Sequence, residues 1–392
     1  MTPTPSRQTL GKANAVGIPL ARGRIAGLDG LRTVAVLVVF AGHYLAAAFP
    51  NRHWLEFVFP GMLGVTLFFV ISGFLISSIL FDEFRASSTI ALSHFYIRRL
   101  LRLTPALWVY VTITLIAYLL YDGRVNYWDF VAAFTYTSNY YMIATSSVQY
   151  YMPVWSLAIE EHFYLILPLT MLLAVRRSVR VFMIVVVCGV VAEFVWRRMV
   201  ADSVNMDWQY IYWRTDTRLD SLLFGVLLTC LLALPHARRV SGIVSHWPGL
   251  VGGIGLMAVS VLYRDEAFRM SARYTLQGLG LMLLVGYVIL SHEWIATNAR
   301  AVLETRPVIY ISKISYSLYL WHLTILKFAE HVFGTIGVIG VALCAAASLT
   351  MASLSYKFVE IPFFSLRRKF GSHIEMPHKL KPKELVQRAA SI

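Results

Sequence analysis

The sequence predicts an all-α integral membrane protein with about ten transmembrane helices and both termini in the cytoplasm. Two composition values point to this fold class: 58% of the 392 residues are hydrophobic, and the mean hydropathy is +0.63. The third observation is that many apolar runs contain about 18 residues or more, the length that an α-helix needs to cross a bilayer. These observations exclude a soluble domain.

Ten apolar runs are predicted to be the spanning helices, because each is long and apolar enough for the hydrocarbon core. They cover about residues 28–48, 61–80, 103–121, 153–175, 181–197, 213–234, 247–263, 273–291, 308–328 and 334–358. The apolar segment 130–144 is shorter and polar residues interrupt it, which favours a re-entrant or interfacial segment. The predicted organisation is a flexible basic tail at 1–24, a membrane domain at 25–362 and a basic cytoplasmic tail at 363–392.

The net charge of +14 is sorted by loop, as the positive-inside rule requires, so it predicts membrane topology and not a nucleic-acid partner. With ten spans and a cytoplasmic amino terminus, most basic residues fall on the cytoplasmic side of the membrane. The protein is predicted to lie in the plasma (inner) membrane of the cell. An eleventh span would move the basic tail outside. The inside residues are Arg98, Arg99, Arg102, Arg176, Arg177, Arg180, Arg238, Arg239, Arg300 and Arg306.

Neither a disulfide framework nor a metal site is predicted. The three cysteines, Cys188, Cys230 and Cys344, all lie in apolar runs and show no metal-ligand spacing, so they are interpreted as core residues. The polar first 24 residues lack the apolar centre of a signal peptide, so no cleavage is expected.

The first helix carries the main candidate site, formed by Arg32 and His43. Eleven residues are about three helical turns, so both side chains lie on nearly one face, about 16 Å apart along the axis. Asp29 is an i,i+3 partner for Arg32. An ionisable residue at that depth is costly and indicates function. The alternatives are an arginine that anchors the helix end and a histidine that only packs between helices.

The next two candidates lie in the second helix and before the third. Ser72 lies in FFVISGFLIS, where small residues allow close helix packing and a hydroxyl is available to a ligand. Arg99 and Arg102 follow i,i+3 spacing in HFYIRRLLRLTP, and such guanidinium groups bind phosphate oxygens in pairs. The alternative is that they only set topology.

Two adjacent acids, Glu160 and Glu161, lie inside an apolar run of the fourth helix and cannot both face lipid. At least one is predicted to face the interior with Tyr164, free to pair with an arginine, a histidine or a hydroxyl, unless it forms a structural ion pair. Arg218 begins the sixth helix and either positions a polar acceptor or caps the helix.

A polar face is also predicted on the ninth helix. Ser315, Tyr319 and His322 follow i, i+4, i+7 spacing, which favours either the second half of a polar cavity or a histidine satisfied between helices.

With these motifs in place, the sequence resembles membrane acyltransferase family 3, the O-antigen and exopolysaccharide acetylases. The resemblance covers about residues 24–362 and rests on LDGLRTVAVLVVFAGH, FFVISGFLI, YIRRLLRLTPALW, VWSLAIEEHFYLILP, TRLDSLLFG, ISYSLYLWH and VEIPF, in this order. EEHFY departs from the EEQFY of many relatives and adds the titratable His162. Some members carry an extra hydrolase-like domain after the last span, and this chain resembles the standalone type.

The resemblance implies ten spans and transfer of an acyl group, usually acetyl from acetyl-CoA, to a hydroxyl of a glycan or other acceptor. The family's motif of an arginine and a histidine with ten residues between them corresponds to Arg32 and His43. The family's arginine pair on the first cytoplasmic loop corresponds to Arg99 and Arg102. The resulting hypothesis has acyl-CoA as donor substrate with no bound cofactor, its phosphates held by Arg98, Arg99 and Arg102. His43 is the general base or transient acyl carrier, Glu160 or Glu161 orients its imidazole, and Asp29 and Ser72 lie in the cavity wall.

Two other classes stay open at this point. A carrier or flippase for lipid-linked glycans also needs intramembrane charges, but its inverted repeats and broken helix pairs are not found. A membrane scaffold would tolerate loss of His43. The tyrosines of the third-to-fourth connection either stack on sugar rings or form an interfacial belt; they are Tyr140, Tyr141, Tyr150 and Tyr151.

Overall fold

The computed structural model describes residues 25–52, 61–123, 125–145, 151–204, 207–234 and 237–370. The predicted amino-terminal tail and the predicted carboxy-terminal tail beyond Phe370 lie outside these residues, as does Tyr150. Within them the fold is all-α, with no β-strand, which confirms the predicted fold class.

The helices follow one another in chain order with short connections. They are α1 (Leu28–Ala48), α2 (Gly61–Ser87), α3 (Leu92–Asp122), α4 (Tyr127–Phe134), α5 (Ser138–Thr145), α6 (Val154–Val175), α7 (Val179–Ser203), α8 (Trp208–Trp213), α9 (Leu219–Ala233), α10 (Ala237–Val244), α11 (Trp247–Leu262), α12 (Glu266–Met270), α13 (Ala272–Leu290), α14 (Trp294–Leu303), α15 (Arg306–Phe333), α16 (Val338–Ser355) and α17 (Ile361–Arg367). A π-helical turn, Tyr356–Glu360, joins α16 to α17.

Among the described residues, seven helices are long and apolar enough to cross a membrane. They are α1, α2, α3, α6, α7, α13 and the continuous segment Val338–Arg367. The helices α9 and α11 are apolar but shorter, and α15 is long but more polar. Each of the ten predicted spans therefore corresponds to a helix, and a multi-span membrane protein is confirmed; the number ten and the side of the termini stay predictions.

The second and third predicted helices were too short at their arginine-rich ends. Helix α2 continues to Ser87 and α3 begins at Leu92, so the arginine-rich segment is mostly helical. The segment 130–144 forms parts of α4 and α5, which meet at Tyr136 with a positive φ of 58°. Each has eight residues and is about 12 Å long, too short to cross a bilayer.

Helix α2 lies at the centre of the bundle, against α1, α9 and α13. It approaches α9 backbone to backbone, because Gly73 and Gly225 face each other's helices without side chains. A Cβ at Gly225 would collide with the carbonyl oxygen of Val70. Beside this contact, Ser77 donates a hydrogen bond to Thr229 Oγ1 at 2.7 Å. The hydrogen bond between these buried hydroxyls and the close backbone packing together hold α2 against α9.

Helix α1 packs against α15 as well as α2, with the two amino-terminal ends side by side. The Gly27 amide donates to Glu304 Oε1 at 2.6 Å, and the Thr33 hydroxyl donates to the Val308 carbonyl at 2.6 Å. Near the other end, the Tyr44 hydroxyl bonds the His322 carbonyl at 2.8 Å. These contacts fix the register in which α1 and α15 present their polar residues.

We expect Gly225→Ala to lower the free energy of unfolding by about 1–3 kcal/mol, because the added methyl forces α2 and α9 apart. The measurement is thermal unfolding of the purified protein in detergent. Gly255→Ala in α11 is the control, since no atom lies within 4 Å of the Cβ position there. Equal melting temperatures for the two variants would contradict this close contact.

Candidate active site

A cavity of about 390 Å³ opens among α1, α2, α3, α6, α15 and the carboxy-terminal segment. It brings together many of the side chains that the sequence singled out, from five different helices. The predicted residues in its wall are Asp29, Arg32, Ser72, Arg99, Arg102, Glu160, Tyr164, Ser315 and Tyr319. Its volume is in the range of sites that bind small ligands.

Glu160 lines the cavity and is held by two hydroxyl donors. Tyr164 donates to its Oε2 at 2.8 Å, and Ser72 donates to its Oε1 at 3.3 Å. The Arg99 guanidinium lies over the Tyr164 ring, 4.7 Å from the centroid, and attracts the carboxylate. Since i and i+4 residues share a helix face, α6 presents Glu160 and Tyr164 together. The Glu160 carboxylate therefore holds the Arg99 guanidinium in place over the Tyr164 ring.

The arginines of the cavity wall lie near one another, and we call this group the basic end. It contains Arg32, Arg99, Arg102 and Arg367, since the charge of Arg102 acts on each of the other three. Lys313 also lines the wall. The acidic side chains in the whole wall are three: Asp29, Glu160 and Glu360. Five cationic groups against three acids leave a positive excess that favours an anionic ligand.

The other candidate, His43, pairs with His322 of α15. The two imidazoles meet with His322 Nε2 and His43 Nδ1 3.2 Å apart. His322 Nδ1 lies 2.7 Å from the Tyr319 carbonyl, and a carbonyl only accepts, so Nδ1 carries the proton. In neutral His322, Nε2 then accepts from His43 Nδ1–H. This leaves His43 Nε2 with a free lone pair, the state that a general base needs.

The histidine pair does not line the cavity, contrary to the prediction that Arg32 and His43 share one hollow. Tyr319 lies between them: its ring lines the cavity and is 5.6 Å from the His322 ring. The Tyr319 hydroxyl is hydrogen-bonded to Ser156 Oγ at 2.6 Å, and both residues line the cavity. Arg32 instead contacts Ser315, with Nη2 3.5 Å from Oγ.

The glutamates do not orient His43 in this structure, which corrects a second prediction. Glu160 is held by Ser72 and Tyr164, because its position on α6 faces α2 and not the outer half of α1. Glu161 is outside the cavity wall, and its buried Oε1 has no hydrogen-bond partner among the described residues.

Arg98 is also removed from the predicted donor site. It pairs with the buried Glu83, 3.3 Å between Nη2 and Oε2, and donates to the Phe370 carbonyl at 3.0 Å. Adjacent residues on a helix point about 100° apart, so Arg98 faces α2 while Arg99 faces the cavity. Its role is to hold the carboxy-terminal segment to α3.

Arg218 belongs to a separate buried cluster and not to the cavity. Its guanidinium donates to Thr66 Oγ1 at 3.0 Å and lies 4.3 Å from the Tyr274 centroid. Beside it, Arg197 and Asp220 form an ion pair of 2.7 Å with both side chains fully buried. The cluster connects α2, α7, α9 and α13, so its contacts are those of a structural network.

The connection between α3 and α6 contributes only partly to an outer surface. Tyr140 is exposed, whereas Tyr151 is buried and donates to the Val111 carbonyl at 3.3 Å. Tyr151 is therefore a packing residue. His162, the departure in the fourth-helix motif, is 2.8 Å from Thr215 Oγ1 and lies outside the cavity wall.

Seven polar residues of the wall were not predicted from the sequence. Ser156, Ser312, Lys313 and Tyr316 lie within or beside the motifs quoted above, but single serines, lysines and tyrosines carry little signal. Glu360 is part of VEIPF, where its depth was not apparent. The other two are Tyr356 and Arg367.

The comparisons with known proteins agree with these features. A family described as an acyltransferase domain matches residues 25–357. A protein of Staphylococcus aureus (strain COL) named "Putative O-acetyltransferase" is 34% identical over 361 residues, 86% of this chain and 57% of the relative. O-acetyltransferase OatA of S. aureus (strain NCTC 8325 / PS 47) is 32% identical over 380 residues, 90% of this chain and 59% of the relative. The chain thus spans less than two thirds of these relatives, and no solved structure matches it.

For the buried cluster we expect Asp220→Asn to destabilise the fold by about 3–5 kcal/mol, because Arg197 loses its 2.7 Å ion pair and keeps only the Glu193 carboxylate, 3.9 Å from its Nη1. Thermal unfolding in detergent measures this loss. The double variant Arg197→Met, Asp220→Leu removes both charges of the closest pair and should recover part of the loss, since Glu193 is then left without Arg197. A double variant no more stable than Asp220→Asn would argue against a purely structural pair.

Proposed function

The chain belongs to the acyltransferase domain family, and we propose that it is a membrane O-acetyltransferase that moves acetyl from acetyl-CoA to a hydroxyl of a glycan or lipid-linked acceptor. The observation that carries the proposal is the His43–His322 pair, which leaves a basic nitrogen one tyrosine away from a cavity with a basic end. A base at one end and a phosphate-binding surface at the other match a phosphorylated thioester donor.

The donor enters at the basic end. Its phosphates bind the arginine side chains there, and its thin pantetheine arm extends along the cavity toward Tyr319. Arg32 and His43 are about 16 Å apart along α1, so Arg32 does not touch the reacting atoms. Its role is to align the donor, with Ser315 as its partner.

The transfer itself follows general base catalysis. His43 Nε2 takes the proton of the acceptor hydroxyl while that oxygen attacks the thioester carbonyl carbon. The C–S bond then breaks, and the imidazolium returns the proton to the departing thiolate. The products are the acetyl ester and free CoA. His322 holds the Nδ1 proton of His43 throughout, as the orienting partner of a catalytic base does.

Tyr319 controls contact between the donor and the base. With the Ser156 hydrogen bond in place, the Tyr319 ring separates the cavity from the imidazoles. A rotation of this side chain connects them, so we assign it the role of an inner gate. The acceptor approaches from the side of the bundle opposite the basic end, and the enzyme lies in the plasma (inner) membrane with that end in the cytoplasm.

We expect His43→Ala to lower acetyl transfer by about 10²–10⁴-fold, because the base is lost, with CoA affinity unchanged. The measurement is transfer and release of label from acetyl-labelled CoA by the purified protein. His292→Ala is the matched control, since His292 is exposed and outside the site. A His43→Ala rate close to wild type would refute the assignment of the base. Wild-type protein without CoA binding or transfer would instead favour the carrier.

His322 supplies a second test. We expect His322→Ala to lower kcat by about 10²-fold or more, with the KM for acetyl-CoA unchanged, because His43 loses the acceptor that fixes its tautomer. His322→Gln should recover part of the rate, since its amide oxygen accepts in the place of Nε2. Equal rates for the Ala and Gln variants would count against an orienting role.

A further inference from the structure

The carboxy-terminal segment contributes its own row of residues to the cavity. Tyr356, Glu360, Phe364 and Arg367 all line it. Their spacing of four, four and three residues puts them on one helical face, through the π-helical turn and α17. We call these residues the C-terminal row. Such π-helical turns often occur at functional sites.

Part of the C-terminal row lies outside the regions of the chain on which the proposed function rests. The family match ends at residue 357, and the predicted membrane domain ends at 362. Glu360, Phe364 and Arg367 come after the match, and the latter two after the predicted domain. The row is nevertheless fixed to the bundle: the Ser317 hydroxyl donates to Glu360 Oε1 at 2.6 Å. Arg98 of α3 holds the next turn through the Phe370 carbonyl.

Arg367 lies in an unusual electrostatic setting. The charges that act on it are those of Arg102 and Arg98, both of the same sign. Its guanidinium carbon is 5.1 Å from the Phe364 ring centroid, a contact that orients the group and leaves its N–H donors available. Among the described residues, no carboxylate forms an ion pair with Arg367 or Arg102.

Like charges that outnumber the carboxylates around them are stabilised when an anion lies between them. Two guanidinium groups in the wall of one cavity provide the paired N–H donors that phosphate oxygens prefer. Lys313 in the same wall adds a further positive charge. The ligand class that this arrangement fits is a phosphorylated group entering from the basic end.

We propose that Arg367 binds the phosphates of the donor's nucleotide end together with Arg102, so that the C-terminal row completes the donor site. This inference rests on the proposed function. Glu360 keeps the row in place through Ser317 and attracts Arg32 and Arg102 to the same side of the cavity. Donor recognition therefore depends on a segment beyond the matched region.

The test measures binding and turnover with donors that differ in phosphate content. Wild-type and Arg367→Ala proteins in phosphatidylcholine nanodiscs are titrated with CoA and with dephospho-CoA, which lacks the 3′-phosphate. Turnover is measured with acetyl-CoA and with S-acetyl-N-acetylcysteamine, which has no phosphate. We expect Arg367→Ala to raise the Kd for CoA and the KM for acetyl-CoA about tenfold or more. We expect its kinetics with the phosphate-free donor to equal wild type, and Arg367→Lys to be intermediate.

Arg176→Ala, an exposed arginine outside the cavity, is the control and should behave as wild type. A similar loss of activity with both donors would mean that Arg367 supports the fold or binds lipid head groups, and would overturn the inference. Unchanged CoA affinity would overturn it too. Wild-type protein that binds CoA but transfers no acetyl would refute the proposed function alone, since the affinity difference still tests Arg367. Failure of the wild type to bind CoA would refute both.

Discussion

The site depends on the parallel contact between α1 and α15. In a bilayer a buried charge or imidazole needs a partner within the protein, because lipid offers none. This contact pairs Arg32 with Ser315 at the basic end and His43 with His322 deeper in the bundle. The hydrogen bonds of Thr33 and Tyr44 to the α15 backbone hold the register. A one-turn slip would separate both functional pairs at once.

The buried polar groups divide into two sets with different uses. The Arg197–Asp220 pair and Arg218 are enclosed by aromatic rings and neighbouring hydroxyls, which makes them part of the framework. The cavity set carries a surplus of positive charge, so its electrostatics are complete only with a ligand. A surplus of charge in the wall of a cavity therefore indicates function more clearly than burial of a charge alone.

Much of the helical framework could be predicted from the sequence, because apolar runs record helices directly. Arg32, Arg99 and Glu160 were also found in advance, since an ionisable group in an apolar run stands out. The pairing of His43 with His322 was not predicted, because contacts between helices 279 residues apart leave no periodic signal. The glutamates were assigned to the wrong partner for the same reason. Arg367 was missed because the domain boundary was placed where the apolar run ends.

The hydrogen bond between Tyr319 and Ser156 has a consequence for the cell as well as for the reaction. A polar hollow reaching from one face toward a pair of imidazoles is most of a proton-conducting path, and an energised membrane cannot tolerate a permanent leak. The Tyr319 ring, held by its hydrogen bond to Ser156, interrupts any water chain between the two sides of the membrane. Under the proposed function, the same barrier shields a bound thioester from hydrolysis until the acceptor alcohol arrives.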